Sequence, residues 1–145
     1  MATNINEFVL EVDEAPRRVQ RQLVKLQVDL TVRFVELAAE FTPFKTGHAM
    51  ANWIASRSAP DEEENFDEPL TIDEISRRAR RALRGTKFGD PTYGQNNVPR
   101  ISFLNEGTSN QAPAGFVETA AAIASDELGI RQAEELDDDS REEAA

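Results

Sequence analysis

The chain has 145 residues, no cysteine, one histidine and a formal net charge of −11. That length suits one domain with a sizeable core, and the missing cysteines exclude disulfides, thiol catalysis and Cys-based zinc sites. The charge is unevenly placed: residues 61–68 carry −6 and residues 126–145 carry −7, leaving +2 for everything else. A nearly neutral body with two acidic appendages lacks the basic footprint from which duplex affinity mostly comes.

Residues 1–15 form an N-terminal arm, whose acidic opening is expected to be no secretory signal. Ile5, Phe8, Val9, Leu10 and Val12 are enough to dock it as an arm or short helix, with a frayed terminus as the alternative. From Pro16 to Phe41 neither Gly nor Pro interrupts. Val19, Leu23, Leu26, Leu30, Phe34, Leu37 and Phe41 recur at steps of three and four, which predicts a helix with a buried stripe. Val24, Val28, Val32 and Val35 widen the stripe onto a second face. Such a helix is about 39 Å long. It outruns a small sheet, so the second face either meets a neighbouring subunit or belongs to the chain's own core. No apolar run approaches the roughly 18 residues of a membrane span.

Thr42-Pro43 stops the helix, and TPFKTG turns the chain through Gly47. A short helical turn from His48 then leads to a strand over 53–58, with Trp53 in the core and its indole N–H paired. His48, the only histidine, reads as structural or exposed. Residues 59–69 are a solvated acidic loop without calcium-loop spacing. Thr71-Ile72-Asp73-Glu74 is a capping box opening a helix over 71–84. Ile72, Ile75, Ala79, Ala82 and Leu83 line its apolar face, and Gly85 ends it. Arg77, Arg78, Arg80, Arg81 and Arg84 occupy the other face, suited to carboxylates of a protein partner or to phosphate. Phe88 and Tyr93 are expected to anchor the connection that follows.

Residues 92–122 read as strand, turn, strand, Gly-centred loop and helix. Tyr93 to Asn96 is extended, and Asn97-Val98-Pro99 breaks the run. Arg100 to Asn105 alternates Ile101, Phe103 and Asn105 with Ser102 and Leu104, as a half-buried strand does. Gly107 is placed for positive φ within the turn-rich Glu106 to Asn110. Pro113 suits the first turn of a helix over 113–128 that buries Phe116, Ala120 and Ile123 and ends at Gly129. Residues 129–145 form an acidic tail with almost nothing to bury. The expected fold is therefore α+β. A long N-terminal helix packs on a small antiparallel sheet of residues 53–58, 92–96 and 100–105, with two further helices, as one domain over 16–128.

NNVPRISFLNEGTSNQAPAGFVETA, preceded by TPFKTG roughly 50 residues earlier, resembles the signature of the neck, or tail-completion, proteins of long-tailed bacteriophages. The resemblance covers about residues 16–125. It rests on Thr42, Pro43, Thr46 and Gly47 in the first motif. The second supplies Asn97, Pro99, Asn105, Glu106, Gly107, Pro113, Gly115 and Phe116. Lys45, His48 and Arg100-Ile101 depart from the family pattern. The resemblance implies a structural subunit of a homo-oligomeric ring, hexamer or dodecamer, between the head-connector and tail-terminator proteins. DNA would pass through the ring without specific binding. Its place would be the neck of the virion, and the host cytoplasm during assembly, with no membrane.

An enzyme is not expected. The chain has no catalytic constellation around His48, no phosphate-binding glycine pattern and no carboxylates outside solvated runs that burial would tune. No catalytic, metal or cofactor residue is assigned. The alternative to the ring subunit is a stand-alone nucleic-acid- or protein-binding module using the Arg-rich helix 77–84. In either reading Arg77, Arg78, Arg81 and Arg84 form a charged interface.

Overall fold

A computed structural model describes residues 16–43, 47–61, 70–99, 101–107 and 114–129. The elements run α1 (Arg17–Phe41), α2 (His48–Ala51), β1 (Trp53–Arg57), α3 (Ile72–Ala82), β2 (Thr92–Asn96), α4 (Ile101–Asn105) and α5, helical over 116–129. The architecture is α+β, with the long helix packed on a two-stranded antiparallel sheet and against α3. β1 and β2 pair from Trp53 opposite Asn96 to Arg57 opposite Thr92, and Ser58 N–H continues the ladder to Pro91 O at 2.8 Å.

The helix starts and stops are read from side chains. Pro16 precedes α1 because its missing N–H costs a helix nothing at its first turn. Thr42 ends α1 in an extended conformation, as a residue before proline must. Gly47, at φ 79°, starts α2. α3 opens on the full capping box: Glu74 N–H donates to Thr71 Oγ1 (3.2 Å) and Thr71 N–H donates to Glu74 Oε2 (2.8 Å). Gly85, at φ 79°, follows the last turn of α3.

Val32, Val35, Leu37, Ala38 and Ala39 of α1 share one core with Trp53, Ala55, Ile75, Ala79, Leu83, Phe116, Ala120 and Ala124. Trp53 packs edge-on against Phe34, with ring centroids 5.8 Å apart at 87°. Its indole N–H donates to Thr42 Oγ1 (2.7 Å), and that hydroxyl donates to Ala38 O (2.6 Å). A polar seam joins α1 to the start of β2. Gln27 Nε2 donates to Asp90 O (2.7 Å) and Thr92 Oγ1 (3.2 Å), and the Thr31 and Thr92 hydroxyls lie 2.8 Å apart.

Four expectations need correction. The third strand expected over 100–105 is replaced by a short helix over Ile101–Asn105. Ile101 and Leu104, one turn apart, both pack against the core, while Phe103 is 58% exposed. The alternating reading missed this step of three. The stripe on α1 is also not buried along its length: Leu37 is buried, but Val19 and Leu23 are 41% and 42% exposed. Around residues 30–39 both faces of the helix belong to the core, whereas residues 17–25 run out beyond it. Phe88, 45% exposed, is no anchor. Gly129, finally, is still helical. Pro113, Thr46, the N-terminal arm, most of the acidic loop and the tail from residue 130 lie outside the described residues.

Helix α1 packs tightly over Gly94 of β2. A Cβ there would lie 2.5 Å from Phe34 Cδ1 and 3.0 Å from Val35 Cγ2. Gly94→Ala is expected to destabilise the fold by about 1–3 kcal/mol, the cost of overpacking a filled core. Chemical denaturation checks this, and an unchanged midpoint would refute the close packing.

Candidate functional site

The second signature forms a built corner between α4 and α5. Asn105, at the end of α4, makes three connections across it. Its carbonyl accepts from Gly115 N–H (2.7 Å), its Oδ1 accepts from Val117 N–H (2.9 Å), and its Nδ2 donates to both carboxylate oxygens of Glu118 (3.0 Å). The side chain thus takes up an orphan donor at the start of α5, the work of an N-cap residue, although it lies 11 residues before Phe116 in sequence. Holding the Glu118 carboxylate in its charged form, this bond from Asn105 lowers its pKa below the ordinary carboxylate range.

Gly107 adopts φ 90° and Gly115 φ 79°. A Cβ on Gly107 would come within 3.1 Å of Ala114 Cβ and 3.3 Å of its backbone nitrogen. Two left-handed turns therefore bracket residues 108–113, and Phe116 anchors the far side at 1% exposure. Glu106 and Gly107 are exposed at the surface of the corner.

The first motif is more buried. Thr42 links the last turn of α1 to Trp53, as above. Gly47 O accepts from Ala51 N–H (2.9 Å) to close α2, and Asn96 Nδ2 donates to Ala49 O (2.7 Å), tying α2 to the end of β2. Asn97 Nδ2 donates to Asp61 O (2.7 Å), and Pro99 is exposed just before α4. The resemblance thus selects residues whose local work is backbone geometry. Those of them among the described residues lie at two corners of one fold.

The arginines of α3 divide into three groups. Arg77, Arg81 and Arg84, exposed and spaced four and three apart, form one stripe opposite Ile75, Ala79 and Leu83. Arg80 pairs with Asp29 of α1 at 3.1 Å. Arg78 is turned inward: its Nη2 donates to Ala51 O (2.5 Å) and Trp53 O (2.8 Å), and burial lowers its pKa. This places Arg78 as an internal tether between α3 and the start of β1, not on the charged surface where the sequence reading put it. Its position three after Ile75 and one before Ala79, at the edge of the apolar face, was the available signal. Arg57, which the sequence reading passed over, joins the stripe. Its Nη1 donates to Gly85 O (2.7 Å), setting an exposed guanidinium beside Arg84.

A second charged chain crosses the helices. Arg33 of α1 grips Glu127 of α5 with two bonds (2.7 and 3.1 Å) and also bonds Glu36 (3.1 Å), whose other oxygen accepts from Ser76 of α3 (2.6 Å). The Glu127 bond above all raises the Arg33 pKa, against the effect of burial. Both ends of the Arg33–Glu127 pair are about two-fifths exposed, which limits it to roughly 1 kcal/mol or less. Its main effect is to fix where α5 lies.

Among the described residues no group of three or more His, Asp or Glu is placed to hold a metal ion, and no helix is long and apolar enough to cross a membrane. No family model matches the chain, and no curated protein or solved structure matches it either.

Two substitutions probe the corner. Asn105→Ala is expected to cost about 1 kcal/mol through the lost cap, and Gly107→Val about 1–3 kcal/mol through left-handed strain. Because the folded pKa of Glu118 is depressed, its contribution is present above the ordinary carboxylate pKa and lost as pH falls below about 4. Asn105→Ala should remove that part of the acid dependence. Urea melts at neutral and acid pH check both statements, and a deficit for Asn105→Ala that is no smaller in acid would contradict the Glu118 assignment.

Proposed function

We propose that the chain is a structural subunit of the neck of a long-tailed bacteriophage, assembling as a ring through which DNA passes between head and tail. The two motifs that resemble the tail-completion family support this reading, since their residues here do geometric work at two corners. The observation that carries it is the N-terminal half of α1. Residues 17–25 leave Val19 and Leu23 open to solvent on a helix whose other half packs its apolar residues into the core. A projecting half-helix with an apolar stripe suits a heterologous contact repeated around a closed ring, and Arg17, Arg18, Arg21 and Lys25 surround it with charge that would set register.

The Arg stripe of α3 is the second surface in this reading, directed at carboxylates on protein. A conduit works best with weak attraction to DNA, since each neutralised phosphate adds counterion-release affinity that would slow sliding. Enzymatic activity forms no part of the reading.

Native mass measurement of the purified chain, alone and mixed with the other neck and tail proteins of its virion, tests the proposal. A closed oligomer is expected in at least one of these conditions. Val19→Glu combined with Leu23→Glu should abolish it while leaving the thermal melt of the subunit nearly unchanged, because both positions are exposed. A chain that stays monomeric in every mixture would refute the ring.

A further inference from the structure

The Arg stripe of α3 is a four-cation surface. Arg77 and Arg81 stand on the solvent side of the helix, Arg84 follows its last turn, and Arg57 joins there through its bond to Gly85 O, all exposed. Among the described residues none of the four forms an ion pair with a carboxylate. Arg77 instead donates to Asp73 O within its own helix (3.3 Å). Like charges so close repel one another in the folded chain, and a carboxylate-rich segment would relieve that repulsion.

The last described turn shows where such a segment begins. Glu127 of α5 bonds Arg33, Arg33 bonds Glu36, and Glu36 bonds Ser76, the residue next to Arg77. Two residues beyond Glu127 the described helix reaches Gly129, and residues 130–145 follow with seven acids against two arginines. The segment therefore leaves the body a few side chains from the near end of the stripe. Sixteen residues reach up to about 50 Å when extended, whereas Arg77 to the end of α3 at Ala82 spans only about 8 Å of helix. A tether that short gives an effective concentration of about millimolar.

We propose that the acidic tail, residues 134–145, lies along the Arg77–Arg81–Arg84 stripe of its own chain and occupies it against phosphate. This deepens the reading of the stripe as a carboxylate-binding surface, naming the carboxylates as the chain's own. The tail then acts as a built-in competitor for nucleic acid, and the same chain carries both the cations and the means of screening them.

The absence of cysteine makes a direct test clean. In the full chain, Ser140→Cys is paired with Phe88→Cys, an exposed position beside Lys87, and disulfide formation driven by added oxidised glutathione, which is reduced as the bond forms, is followed at high dilution. The bond is expected within one chain. It should form about 10-fold more slowly when Arg77, Arg81 and Arg84 are all changed to Glu. It should also slow between about 0.1 M and about 1 M salt, as the Debye length shortens from about 10 Å to about 3 Å. Equal rates with and without the reversal would overturn the proposal, and so would a bond formed mainly between chains.

A second arm concerns phosphate. Truncation after Ala133 should raise retention of a plain DNA duplex about 10-fold at low salt, and the triple reversal should cancel the gain. Docking with no gain in retention on truncation would overturn the screening role. Neither arm depends on ring formation. A docked tail on a chain that never oligomerises would leave this inference standing and sink the ring. A ring built by a chain whose tail does not dock would do the reverse.

Discussion

The structure depends on a mismatch of size. α1 has 25 residues, about 37 Å of helix, and the sheet beneath it has two strands of five residues, each about 17 Å long. No two-stranded sheet can cover such a helix, and an isolated pair of strands is barely stable by itself. The fold meets the mismatch by surrounding one half of the helix and leaving the other half out. Over residues 30–39 the sheet, α3 and α5 together close the core, so both apolar faces are used there. Over residues 17–25 nothing equivalent is described, and the same periodic pattern reaches solvent.

What fixes the helix at that depth is a small set of contacts that cannot slide. Phe34 and Val35 fit where Gly94 has no side chain, so the helix cannot shift along β2 without meeting Thr92 or Asn96, the next residues on that face of the strand. The Gln27 and Thr31 bonds to Asp90 and Thr92 hold one end of this contact, and the Thr42–Trp53 bond holds the other. Buried hydrogen bonds add little net stability but are expensive to break singly, and here they set register more than energy. Arg78 does the same for α3: its charge is partly desolvated in return for two backbone carbonyls that have no ladder partner at the mouth of β1.

Much of this was legible in the sequence where one residue has one local job. The capping box at Thr71 and Glu74, the stop at Thr42-Pro43, the positive φ of Gly47 and Gly107, the paired indole of Trp53 and both strands follow from propensity and turn chemistry. The misses share a cause. Ile101–Asn105 is only five residues long, too short for its period to distinguish strand from helix, and its conformation depends on a core that the sequence does not display. The extent to which α1 is buried depends on how much sheet and helix the rest of the chain can supply. Asn105 reads in the sequence as the end of a strand, and its cap across 11 residues to α5 is tertiary. Arg78 was assigned to the surface by its charge, when its place beside Ala79 already put it at the edge of the buried face.

Charge follows the same division between what the body can satisfy and what it leaves open. Arg33 with Glu127, and Arg80 with Asp29, are paired across helices and join α1 to its neighbours, while Glu36 pairs with Arg33 within α1. Among the described residues, other exposed cations lie in two places: Arg17, Arg18, Arg21 and Lys25 at the projecting start of α1, and Arg77, Arg81 and Arg84 with Arg57 along the outer side of α3. Each stands at an outlet of the chain, one beside the segment that precedes Pro16 and one near the segment that follows Gly129. Both segments are rich in acids, with four in residues 1–15 and seven in residues 130–145. Acids carried on the same chain as these cations keep a local concentration that does not fall when the protein is dilute.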